Sequence, residues 1–253
     1  MNVNCPIAEP PVGQFLYPNF EKEKDMSRNK WWAKLLRIVG IVFMSLTALF
    51  TLLGGAGTSC VALNPTGFGD TFAPIAKFQW LYILFVLVTV AIGVMGVRAV
   101  VLLVKGRKNA YRYSLIALLA GTVVGAIHMA FSRALRGGSS MPVDMVVYTT
   151  VLTLILFLLF RIPGVWQGVD YAKPESEKKT GKQAAAIALG ATGLLSLTIQ
   201  FLMAPTHTIG GINYADVWHT ALTLLGLALI VGAVATAVTT EFALLRRKSL
   251  AKE

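Results

Sequence analysis

Three histidines, His128, His207 and His219, are the side chains best suited to chemistry, and each sits in or beside a long apolar segment. A neutral imidazole in such a setting can ligate a haem iron or another metal, or hydrogen-bond a quinone carbonyl. His128, flanked by Ile127 and Met129, is the first candidate for holding a cofactor, and His219 is the second. Facing each other from two helices, they could sandwich one haem. The plainer alternative has His128 bonding a neighbouring backbone or Ser132, with His207 and His219 merely interfacial. No HxxxH or CxxC spacing points to a particular metal.

A second set of polar groups falls near the same level: Asp70, Asp144, Asp216, Gln200, Cys60, Arg133 and Arg136. Asp216 and His219 are three residues apart and share a helix face. Arg133 and Arg136 invite either an anionic substrate or pairing with Asp70, Asp144 or Asp216, and pairing is the plainer reading. Cys60 has no second cysteine or base close in sequence, so it reads as a small buried residue rather than a redox thiol or an intermolecular bridge. A phosphate-binding glycine loop, HExxH and GxSxG are all missing. Nothing specifies a reaction, and the balance leans away from an enzyme.

The elements that must position these groups are membrane spans. Apolar residues make up 55% of the chain and charged ones 14%, with a mean hydropathy of +0.66. Soluble domains carry about a quarter charged residues. Crossing a hydrocarbon core about 30 Å thick takes roughly 20 apolar residues. Six segments qualify, at about 35–56, 78–104, 113–131, 143–162, 184–204 and 217–245. The expected fold is therefore all-α, a polytopic bundle of six spans over residues 35–245. Residues 1–34 form a cytoplasmic leader segment and 246–253 a cytoplasmic basic tail. The leader, with Pro6, Pro10, Pro11 and Pro18 and no apolar core, does not read as a signal peptide.

Orientation follows from the basic residues. With both termini cytoplasmic, all but Lys77, Arg133 and Arg136 of the 23 lysines and arginines lie on the inner side, as the positive-inside rule requires. This predicts an inner or plasma membrane location and puts Cys5 and Cys60 on opposite faces. It also explains the net charge of +11 without nucleic acid, since the basic residues cap apolar segments and form no separate domain. Counted at 1.5 Å per residue from Arg112, His128 lies about 24 Å across, in the outer leaflet, with Gln200 at similar depth. Two outer loops, Gly54–Asp70 and Thr206–Asp216, are rich in glycine. Gly121 and Gly125, Ala186, Gly190 and Gly193, and Ala228 and Gly232 supply small faces for close helix approach.

Three functions remain open. One is a non-catalytic accessory subunit working through the bilayer and other membrane proteins. Another is a haem- or quinone-binding redox protein using His128 and His219. The third is a small-solute transporter lined by Thr122, Thr149, Thr150, Thr192, Ser196 and Thr198, hydroxyls that could equally bond back to their own helices.

Overall fold

The structure is a computed structural model and describes residues 30–172, 178–209 and 211–250. The proline-rich leader, including Cys5, and most of the charged stretch after Ala172 lie outside the described residues. The long helices are α1 (Trp31–Leu63), α2 (Gln79–Lys105), α3 (Ala110–Arg136), α4 (Val143–Leu159), α6 (Lys178–His207) and α7 (His219–Leu250), and a short α5 (Val165–Val169) follows α4. A two-residue hairpin, Thr208–Ile209 with Ile212–Asn213, links α6 to α7.

Each long helix grows from an apolar block too poor in charge to sit in water. Five helical stretches are long and apolar enough to cross a membrane: Trp31–Leu63, Ala73–Lys105, Ala110–Arg136, Lys179–Ala204 and Ala215–Phe242. The fold is thus a helical bundle of membrane type. The fourth expected segment forms a shorter apolar helix of 17 residues, about 25 Å long, which gives way to turns after Leu159. Its neighbours α2 and α3 end on Gly106 and Gly137 at φ 63° and 67°, the left-handed caps that only glycine adopts cheaply.

The expected first loop is largely helical. α1 runs on through Gly54, Gly55 and Gly57 to Leu63, although glycine weakens a helix interior. Packing overrides that preference: a methyl group on Gly55 would come within 2.9 Å of Val90, and one on Gly54 would collide with Val146. The missing side chains let α2 and α4 close on α1. The remainder of the loop forms two tight turns, Pro65–Phe68 and Ala73–Phe78.

α1 is the hub, packing on α2, α4 and α6. α4 runs antiparallel to α3 from end to end: Arg133 meets Asp144, Gly125 and Gly121 receive Val147 and Thr150, and Tyr111 donates to the Phe157 carbonyl over 2.6 Å. α7 leans mainly on α6. There Gly193 and Gly226 cross so closely that a methyl on either would lie 2.9 Å from the other's carbonyl oxygen. The small faces therefore serve packing within this chain. Buried Phe157, Phe160, Tyr111 and Tyr171 fill one end of the bundle, together with Leu103 and Leu118. Complete burial raises the pKa of the Tyr171 phenol.

Candidate functional site

The end of the bundle opposite that aromatic core is not filled. A cleft of about 470 Å³ opens there between the α1–α4 group and the α6–α7 hairpin, within the usual size range of small-molecule sites. α1 supplies Phe50, Leu53 and Val61; α4 supplies Met145 and Val146; α6 supplies Ile199 and Met203; α7 supplies Leu222 and Leu225. α4 and α7 form two of its walls and do not pack extensively on each other.

One group of its polar side chains lies on and around α3. His128 is 3% exposed, stacked on Phe85 with ring centroids 4.4 Å apart and set edge-on to Tyr82 at 5.4 Å. Its Nε2 is buried without a hydrogen-bond partner. Ser132, one turn further along α3, bonds the Tyr82 hydroxyl at 2.8 Å instead of the imidazole. A second space of about 20 Å³, bordered by Thr51, Gly121 and His128, lies deeper in the bundle. Burial without a partner is costly for a polar atom; at His128 it sits where two cavities meet.

Arg136 also lines the cleft. Its guanidinium lies 4.3 Å over the Phe72 ring, and its Nε is buried without a hydrogen-bond partner. Arg133 behaves differently. It holds Asp144 through Nη2 at 3.1 Å and Nε at 3.3 Å, and reaches the Tyr148 hydroxyl at 2.8 Å. The same carboxylate accepts from the Ser139 and Ser140 side chains and the Ser140 backbone. Asp144 is thereby committed to the α3–α4 junction, and among the described residues no aspartate or glutamate lines the cleft.

Of the residues singled out by sequence, His128, Gln200, His207, Cys60 and Arg136 line this one cleft. His219 borders it indirectly: its Nδ1 donates to Oε1 of Gln200 at 2.8 Å, leaving Nε2 free. α3 and α7 do not pack extensively on each other, and His219 is not among the residues lining the cleft. Asp216 accepts from Asn213 at 3.0 Å beside the hairpin, and Asp70 is exposed. Comparison of the chain with protein-family models, characterised proteins and solved structures finds no match. The site must be read from its own chemistry.

Sequence reasoning did not single out Tyr82, Phe85 or Phe72 as parts of a site. Tyr82 reads as an interfacial anchor, and no spacing reveals that its hydroxyl turns inward to Ser132. Among the described residues, no group of three or more His, Cys, Asp and Glu side chains could hold a metal ion. Most of the span hydroxyls weighed as a solute path bond back to their own helices: Thr149 to Met145, Thr150 to Val146, Thr192 to Ala188, Ser196 to Thr192 and Thr198 to Leu194.

Proposed function

We propose that this chain is a non-catalytic membrane protein that holds a lipid-like small molecule in the cleft. In this reading it crosses the inner or plasma membrane six times, with both termini cytoplasmic and the cleft at the outer side. The observation that carries the binding reading is the 470 Å³ cleft, whose walls are mainly apolar while His128 and Arg136 offer unpartnered nitrogen atoms at one end. Apolar walls with a few placed polar groups are the common form of a small-molecule site. The sixth crossing is supported by α4 accompanying α3 over most of its length, and the orientation by the charge bias.

An accessory-subunit role is compatible with this and has one observation in its favour. Only 6% of the apolar window of α7 is buried, against 44% for α1, so α7 offers a long apolar face to lipid or to another subunit. A quinone fits the cleft as one kind of occupant. A haem held between His128 and His219 draws less support, because His219 is bonded to Gln200 and does not line the cleft.

The test is to purify the protein in mild detergent, extract it with organic solvent and analyse the extract by mass spectrometry. Ala221 lines the cleft on α7 and is exposed, so Ala221→Trp fills the space without forcing the core. Wild type should carry an amphiphile at close to one per chain, and Ala221→Trp should lose it. Equal extracts from the two proteins would refute the reading.

A further inference from the structure

We propose that the occupant of the cleft is an amphiphile with an anionic head, a carboxylate or a phosphate, seated on Arg136. The inference rests on the reading that the cleft binds a ligand, and adds which chemistry it selects.

Charge is the first argument. Arg136 is a permanent cation that lines an otherwise apolar cleft, and it forms no ion pair with a described residue. The nearest candidate partner, Asp144, is taken by Arg133, Ser139 and Ser140. Among the described residues, none lining the cleft is an acid. A half-buried cation without a counter-ion is unfavourable, and an anion entering the cleft relieves that cost. The face of Phe72 at 4.3 Å gives the guanidinium a support on one side and leaves its N–H edge for oxygen.

Hydrogen bonding is the second. Nε2 of His128 is buried and unpartnered and can donate to a head-group oxygen. In the Tyr82–Ser132 pair one hydroxyl proton is used between the two oxygens, and the other remains to be donated. Arginine, imidazole and hydroxyl at one end can each offer a donor, which suits a group rich in acceptors. Phe50, Leu53, Ile199, Met203 and Leu222 supply apolar walls that suit an alkyl tail.

Equilibrium binding to the purified full-length protein would use four probes: palmitate, hexadecyl phosphate, hexadecanol and decylubiquinone. One or both anions should bind at least about tenfold tighter than hexadecanol, the scale of a charge-assisted hydrogen bond. Which anion wins identifies the head group. Arg136→Gln should erase the preference and Arg136→Lys should keep most of it. If Arg136→Gln does not fold, the wild-type ratios and Arg136→Lys decide. If hexadecanol or decylubiquinone binds wild type as tightly as either anion, or the preference survives in Arg136→Gln, the anionic assignment is overturned while the cleft remains a binding site. If none of the probes binds and Ala221→Trp retains the same extract as wild type, both readings fall.

Discussion

The carboxylate of Asp144 lies 3.1 Å from the guanidinium of Arg133, with the acid side chain 3% exposed and the arginine 43% exposed. The two halves of the pair are therefore unequal. Asp144 also stands in the first turn of α4, where a negative charge is favoured by the helix dipole, and it satisfies a backbone N–H at Ser140.

Removing the acid should cost much more than removing the base. Asp144→Ala strands the buried Ser140 N–H and hydroxyl, and is expected to lower stability by about 1–3 kcal/mol. Arg133→Ala leaves Asp144 its serine partners and should cost less than about 1 kcal/mol. Thermal unfolding of both variants in the same detergent checks the order; equal losses would count against it.

The seam between α6 and α7 gives a second contrast. Gly193→Ala places a methyl 2.9 Å from the Gly226 carbonyl oxygen, whereas at Gly190 the nearest atom, on Ala233, is 3.9 Å away. Overpacking of this kind costs about 1–3 kcal/mol, so Gly193→Ala should be clearly destabilised and Gly190→Ala nearly neutral. Fluorescence-detected size exclusion after heating would separate them.

Gln200 and His219 tie the same two helices together near the cleft. Single replacement of either by Leu should destabilise the protein, and the double variant should lose less than the sum. The coupling expected for a hydrogen bond between membrane helices is about 0.6 kcal/mol, with about 1.7 as an upper bound. A double-mutant cycle showing no coupling would mean that the bond at 2.8 Å contributes nothing.

The proposed topology makes the cysteines reporters. Cys60 is a free, half-buried thiol on the cleft wall; the six-span reading puts it on the outer side and puts Cys5 in the cytoplasm. A membrane-impermeant maleimide applied to intact cells should label the Cys5→Ser variant slowly at Cys60. The Cys60→Ser variant should be labelled only after permeabilisation. The reverse pattern would invert the orientation.

Helices were the legible part of this molecule, because apolar blocks bounded by charge leave few alternatives. Depth counted along them also brings His128 and Gln200 to one level, and both line the same cleft. What depth does not contain is rotation and neighbourhood. Arg133 and Arg136 are one turn apart and look equivalent in sequence, yet only Arg133 faces the start of α4. His219 turns to Gln200 because α7 leans on α6, and no periodicity states which helix is whose neighbour. Gly54–Leu63 looked like loop because glycine propensity was weighed without the close contacts with α2 and α4 that hold it helical.

The two ends of the bundle differ in kind. At one end Phe157, Phe160 and Tyr171 are buried and packed together, and most hydroxyls weighed as a path are turned back on their own helices. A molecule entering from the other end meets a floor. In the proposed binding reading, such a floor suits residence rather than passage.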